Sequence, residues 1–108
     1  DYIHVWDLAV GHVKALERIL HKNTGLEYYN LGTGRGYSVM ELINEFSAVS
    51  GIDIPYKVIE RREGDAASSY ADSSRAKKIL GWEAVHNLKD MCEDSWRWQK
   101  MNPKGYIE

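Results

Sequence analysis

Residues 26–51 read LEYYNLGTGRGYSVMELINEFSAVSG, and this stretch decides the fold class that we expect. Its first part, Leu26 to Leu31, is rich in aromatic residues, which is typical of a β-strand. A glycine-rich turn follows at residues 32–36, and a pattern of apolar residues at helical spacing begins directly after it. The stretch therefore predicts a strand, a tight turn and a helix in succession.

The helix in this stretch carries start and stop signals. Ser38 followed by Glu41 predicts a capping box at its beginning, and Gly51 is a typical residue to end it. A second strand is predicted from about Tyr56 to Glu60. The middle of the chain thus has a strand–helix–strand pattern, which favours an α/β fold.

The flanking sequence predicts further elements on both sides. Tyr2 to Val5 suggests a short strand, and Asp7 is a suitable N-cap for a helix with apolar residues at helical spacing. A shorter helix is expected at Ser73–Leu80, and a last helix after Asn87. With 108 residues, the chain has room for one domain at most. We therefore predict a single small α/β domain over residues 1–108, with helices packed on a few short strands.

Composition excludes several classes of function. The chain has 44% hydrophobic and 28% charged residues and a net charge of −2, which is ordinary globular composition and predicts neither nucleic acid nor a membrane as partner. No apolar run is long enough for a transmembrane helix. The single cysteine, Cys92, fits a reducing compartment and predicts a cytoplasmic protein. Because the chain starts at Asp1 in a strand-like run, we expect it to be part of a larger protein.

The glycine-rich turn resembles the start of a dinucleotide site, but its spacing does not fit. The glycines stand at 32, 34 and 36, whereas the dinucleotide fingerprint requires the third at position 37, which is Tyr37. The pattern favours a tight turn that leads into a helix, so no cofactor-binding residue is predicted. The four histidines lack metal-ligand spacing, and no catalytic residue set is recognisable, so neither a metal site nor a catalytic residue is predicted.

Residues 61–65, Arg-Arg-Glu-Gly-Asp, are the candidate binding site. A guanidinium group matches the geometry of phosphate oxygens, and Gly64 allows a sharp turn. The carboxylate of Asp65 is able to accept hydrogen bonds from sugar hydroxyls. These groups are suited to bind a sugar nucleotide. A charged turn that is merely solvated, with no ligand, would have the same composition.

Several blocks of sequence resemble the C-terminal part of the sugar-nucleotide 4-epimerases, a group of the extended short-chain dehydrogenase/reductase family. The resemblance covers essentially all of the chain in unbroken order. The matching blocks are Asp1-Tyr2-Ile3-His4-Val5, Asp7-Leu8-Ala9, Gly11-His12-Val13, Tyr29-Asn30-Leu31-Gly32-Thr33-Gly34, Arg61-Arg62-Glu63-Gly64-Asp65, Leu80-Gly81-Trp82, Trp96-Arg97-Trp98-Gln99 and Asn102-Pro103-Lys104-Gly105-Tyr106.

The resemblance implies an activity for a larger parent protein. Family members interconvert UDP-glucose and UDP-galactose through a 4-keto intermediate, with NAD held by an N-terminal Rossmann domain that this chain lacks. By resemblance, Arg62 binds the diphosphate and Asp65 the uridine ribose, while Glu63 and Gly64 shape the turn. The chain alone is expected to be inactive and to hold no cofactor, and the resemblance allows for a homodimeric parent.

One position bears on substrate choice. By resemblance, Ser69 lies near the 2-substituent of the sugar, where a small residue leaves room for an N-acetyl group. We therefore expect the parent to accept UDP-N-acetylhexosamines as well. The alternatives are a UDP-sugar decarboxylase or a dTDP-sugar dehydratase on the same scaffold, and a nucleotide-binding module without catalytic activity.

Overall fold

The computed structural model describes residues 1–23 and 25–106, and these contain four α-helices. Short loops and longer extended segments connect them. The radius of gyration is 17.1 Å, which exceeds the value of about 13 Å expected for a compact domain of this size. In chain order the helices are α1 (Val5–His21), α2 (Val39–Ser50), α3 (Ser74–Leu80) and α4 (Leu88–Met101).

The prediction of a few short strands is wrong for the described residues. Residues 2–4, 26–31 and 56–60 are not strands, and the backbone hydrogen bonds outside the helices close turns and helix ends. A strand exists only when its N–H and C=O groups pair with a neighbouring strand, and none of these segments has such a neighbour here. The apolar side chains that suggested strands are instead exposed, among them Leu26 at 97% and Val58 at 84%.

The helix-end signals in the middle and at the end of the chain are confirmed. Ser38 and Glu41 form the capping box of α2, and Gly51 ends that helix with φ of 71°. Asn87 caps α4 in the same way, with Asp90 as its partner. Local hydrogen bonding alone decides these features, and for that reason sequence is sufficient to predict them.

The predicted N-cap of α1 is wrong. The helix begins at Val5, and His4 is its N-cap, because His4 Nδ1 accepts a hydrogen bond of 3.0 Å from the backbone N–H of Trp6. Asp7 lies inside the first turn and is only 3% exposed. Distant residues bind its carboxylate, so its role is tertiary and not that of a cap.

A small core joins α1, α3 and α4. Its buried hydrophobic residues are Ala76, Trp82, Leu88 and Cys92. The indole N–H of Trp82 donates a 2.8 Å hydrogen bond to the carbonyl of Asp7 and so ties the loop after α3 to α1. Cys92 on α4 is only 1% exposed, and burial raises the pKa of its thiol.

The second contact region lies between α2 and α4. The rings of Phe46 and Trp96 meet edge to face, with centroids 6.2 Å apart. On α1, in contrast, the apolar side chains at helical spacing are largely exposed, for example Leu16 at 56% and Leu20 at 72%. His12 on the same helix is also exposed, and its Nδ1 lies 2.8 Å from the carbonyl of Leu8.

Candidate functional site

The stretch 61–65 forms a tight turn that presents its charged groups to solvent. The N–H of Asp65 donates to the carbonyl of Arg62 over 3.3 Å, and Gly64 has φ of 85°, which favours glycine. Arg62 Nε donates to Asp65 Oδ2 over 3.2 Å, and the two side chains are 83% and 40% exposed. Within the described residues, the terminal guanidinium nitrogens of Arg62 form no hydrogen bond.

The predicted site residues all lie in one exposed segment. The structure brings Arg62 and Asp65 together and places Glu63 and Gly64 in the turn between them. Ser69 follows four residues later, and its described hydrogen bond is made by the backbone carbonyl. The assignment of these residues to a UDP-sugar therefore stays a prediction.

Asp1 connects this segment to the glycine-rich loop. Its Oδ1 accepts hydrogen bonds from the N–H and the hydroxyl of Thr33, at 3.2 and 2.7 Å. Its Oδ2 accepts from the N–H groups of Gly34 and Ala71, at 3.2 and 3.0 Å. One carboxylate thus joins residues 33–34 to residue 71.

The glycine-rich loop does not fit a dinucleotide. A phosphate-binding loop offers its free backbone N–H groups to the anion, but here those of Thr33 and Gly34 already bind Asp1. A Cβ on Gly32 would lie 2.5 Å from Asp1 Oδ2 and 2.7 Å from the Cβ of Ala71, so protein atoms fill the space beside this glycine. We therefore assign no NAD contact to this loop.

A partly buried cluster of histidines and acids was not predicted from the sequence. His86 Nδ1 lies 2.8 Å from Asp7 Oδ1, and the rings of His86 and His4 stack with centroids 4.4 Å apart. His4 Nε2 lies 3.2 Å from Asp94 Oδ2. Because His4 Nδ1 accepts the Trp6 N–H, Nε2 carries the proton and donates to Asp94. These residues are far apart in sequence, and no local pattern indicates their contact.

A cleft of about 1000 Å³ lies between the start of α1 and α4. Trp6 and Trp96 line it together with the exposed edges of the His4 and His86 cluster. The turn at 61–65 does not contribute to its wall. The cleft is therefore separate from the predicted UDP-sugar site.

The described part of the chain has neither a metal-binding cluster nor a membrane-spanning helix. No group of three or more histidine, cysteine, aspartate or glutamate side chains there has the arrangement needed to hold a metal ion. Across the same residues, every helix is too short or too polar to cross a membrane.

The comparisons with known proteins agree with the resemblance noted above. The UDP-glucose 4-epimerase of Bacillus subtilis is 58% identical over 106 residues, which are 98% of this chain and 31% of that protein. The enzyme of the same name from Dictyostelium discoideum is 55% identical over 108 residues, all of this chain and 31% of that protein. No family model matches the chain.

A solved structure shares the fold. The UDP-glucose 4-epimerase of Bifidobacterium longum, in complex with NAD⁺ and UDP, superposes with a TM-score of 0.90 at 49% identity, over 98% of this chain and 31% of that one. The described chain thus has the same fold as the corresponding part of that epimerase. More particularly, the chain is homologous to the C-terminal part of UDP-glucose 4-epimerases, and it spans about a third of their length.

Proposed function

We propose that this chain is the UDP-sugar-binding part of a UDP-glucose 4-epimerase. The observation that supports this most strongly is the 58% identity with the B. subtilis enzyme over nearly the whole chain. The parent protein would interconvert UDP-glucose and UDP-galactose. NAD, bound by another part of the parent, would take up and return hydride at C4 of the sugar. The relatives described above are epimerases, so a decarboxylase or dehydratase is not favoured.

In this proposal Arg62 holds the diphosphate. Its side chain is 83% exposed, and its terminal nitrogens have no partner in the described residues, so both are available for phosphate oxygens. The Nε contact with Asp65 orients the guanidinium plane without using those nitrogens. Glu63 is exposed next to Arg62, and in this proposal it helps to shape the turn.

Asp65 would bind the ribose hydroxyls of the uridine. Its described side-chain hydrogen bond uses Oδ2, so Oδ1 is free to accept a hydroxyl proton. Gly64, with its positive φ, turns the chain so that Arg62 and Asp65 lie on the same side of the turn. The pair would therefore bind a diphosphate and the adjoining ribose together.

Ser69 would leave room for a substituent at C2 of the sugar. Its side chain is exposed and forms no hydrogen bond within the described residues, so the space beside it is open. The neighbouring Tyr70 packs instead near Gly36, where its Cδ1 would lie 3.4 Å from a Cβ on that glycine. This arrangement supports the proposal that the parent accepts UDP-N-acetylhexosamines.

A further part of the parent, which we propose to be its Rossmann domain, would cover the exposed face of α1. Val13, Leu16, Ile19 and Leu20 are between 53% and 72% exposed, and they recur at helical spacing on this helix. An apolar surface of this kind marks a site of contact with other protein. The homodimeric state and the cytoplasmic location stay predictions.

The test uses the full-length parent and the 108-residue chain side by side. With NAD present, the parent should convert UDP-galactose to UDP-glucose, and the isolated chain should show no turnover. Absence of activity in a folded, NAD-loaded parent would contradict the proposed function. Calorimetric titration of the isolated chain with UDP tests whether the chain is an autonomous binding module. Such a module would bind UDP with full affinity, whereas an inactive part of an enzyme would not.

A further inference from the structure

Two hydrogen bonds join residues 61–71 to the rest of the described chain, and both involve Asp1. The terminal ammonium nitrogen of Asp1, which is a backbone amide in a longer parent, donates to the carbonyl of Ser69 over 2.7 Å. Its Oδ2 accepts from the N–H of Ala71 over 3.0 Å. The other hydrogen bonds of the segment lie within the 62–65 turn. Residues 61–70 are all exposed, so little side-chain burial assists Asp1 in holding them.

The donors around the Asp1 carboxylate require both of its oxygens to accept hydrogen bonds. Oδ1 faces the N–H and hydroxyl of Thr33, and Oδ2 faces the N–H groups of Gly34 and Ala71. An aspartate is acceptor-only when ionised, so it satisfies every one of these donors. An asparagine has the same shape, but its NH₂ would face at least one N–H in either orientation.

Gly32 completes this arrangement. A Cβ at this position would lie 2.5 Å from Asp1 Oδ2 and 2.7 Å from the Cβ of Ala71. Contacts shorter than 3.0 Å force one of the neighbours to move. The absence of a side chain at Gly32 therefore permits the close approach of Asp1 and Ala71, on which the position of the segment depends.

We propose that Asp1 is a positioning residue for the UDP-sugar site. It fixes Ser69 and Ala71 against the glycine-rich loop, and through them it sets where the turn with Arg62 and Asp65 stands. The proposal rests on the proposed function, because it concerns the same site. Asp1 itself is assigned no contact with the substrate: it acts through the residues that it holds.

The experiment compares the full-length parent with its Asp1→Asn and Asp1→Glu variants. We expect Asp1→Asn to raise the Kd for UDP and the KM for UDP-galactose by about tenfold, the effect of losing one hydrogen bond to a charged acceptor. The kcat at saturating substrate should stay within about twofold, because the chemical groups are unaffected. Asp1→Glu keeps an acceptor-only head and should recover part of the affinity.

Hydrogen exchange separates local positioning from general destabilisation. In Asp1→Asn, amide exchange should accelerate in residues 68–71 and stay unchanged in α2 and α4. Gly32→Ala would crowd both the Asp1 carboxylate and the Cβ of Ala71, and it should reproduce the loss of affinity. Asp53→Asn, which changes an exposed acid elsewhere, serves as the matched control and should bind UDP like the wild type.

Failure of the positioning role of Asp1 and failure of the proposed function would give different results. If the wild-type parent does not bind UDP, the proposed function itself is wrong. If the wild type binds UDP and Asp1→Asn binds it equally well, the positioning role is overturned. Faster exchange throughout α2 and α4 in Asp1→Asn would also overturn it, because Asp1 would then support the fold in general.

Discussion

The carboxylate of Asp7 lies 2.8 Å from the imidazole Nδ1 of His86, and this contact fastens the first turn of α1 to the residues that precede α4. The same carboxylate accepts the backbone N–H groups of Val85 and His86 at 3.1 and 3.0 Å. Asp7 is only 3% exposed. A buried acid that satisfies three donors is costly to alter, because these donors lose a charged acceptor that is itself shielded from water.

Asp7→Asn should destabilise the full-length protein by about 2 kcal/mol, because the new NH₂ would face backbone N–H donors. Urea unfolding at pH 7 measures the difference. Glu17→Gln, an exposed change on the same helix, is the control and should alter stability by less than about 0.5 kcal/mol. Equal stability of the Asp7→Asn variant and the wild type would contradict this account.

The contribution of Asp7 should also depend on pH. Burial alone would raise the pKa of Asp7, but hydrogen bonds from His86 and Val85 outweigh burial and lower it below the ordinary value of 3.8. A depressed pKa gives stability that is present above 3.8 and is lost as the pH falls through the folded-state value. The difference between wild type and Asp7→Asn should therefore shrink in unfolding measurements below about pH 4.

Gly11→Ala should destabilise the protein although it lies within a helix. Alanine ordinarily stabilises a helix interior by about 1 kcal/mol relative to glycine. Here the added Cβ would lie 2.7 Å from Leu31 Cδ1 and 3.1 Å from the buried indole nitrogen of Trp82. Overpacking costs about 1–3 kcal/mol, so we expect a net loss in thermal or urea unfolding. Ala15→Gly on the same helix controls for propensity and should cost about 1 kcal/mol.

Arg62→Ala in the full-length parent should weaken UDP binding by about 10- to 150-fold, which corresponds to one charge-assisted hydrogen bond of about 1.5–3 kcal/mol. Isothermal titration calorimetry gives the Kd directly. Arg61→Ala removes the same charge from the adjacent exposed residue and should change the Kd by less than about threefold. Equal effects of the two substitutions would indicate a general electrostatic attraction and remove Arg62 from the site.

Ser69→Tyr should abolish turnover of UDP-N-acetylglucosamine while it retains turnover of UDP-glucose. The larger ring would occupy the space that we propose for the N-acetyl group. Steady-state assays of wild type and variant on both substrates measure the change in selectivity. Tyr70→Phe, which keeps the size of the neighbouring ring, is the control. A wild-type parent that does not act on UDP-N-acetylglucosamine would refute the assignment.

The isolated 108-residue chain should self-associate through the exposed face of α1. Leu16 and Leu20 are 56% and 72% exposed, and burial of such side chains between copies is favourable. Analytical ultracentrifugation should show oligomers that the double substitution Leu16→Lys with Leu20→Lys converts to monomers. Glu17→Gln with Lys22→Gln changes exposed polar positions of the same helical region and should not have this effect. A monomeric wild-type chain at high concentration would rule out the expected association.

The sequence by itself determined the features that depend on neighbouring residues. The capping boxes at Ser38 and Asn87 and the turn at Gly64 are local, so short patterns were sufficient to predict them. The same holds for the resemblance to the epimerases, which rests on the order of short motifs. The proximity of Arg62 and Asp65 follows from their spacing across a tight turn.

Only the tertiary structure decided the contacts between distant residues. The predicted strands of residues 26–31 and 56–60 are not formed, because pairing depends on a neighbouring strand and not on propensity. Asp7 was expected to be a cap and is instead a buried partner of His86, 79 positions away. The link from Asp1 to Ala71 spans 70 positions. Such contacts form where packing brings complementary groups together, and no local sequence pattern predicts which distant residues will be in contact.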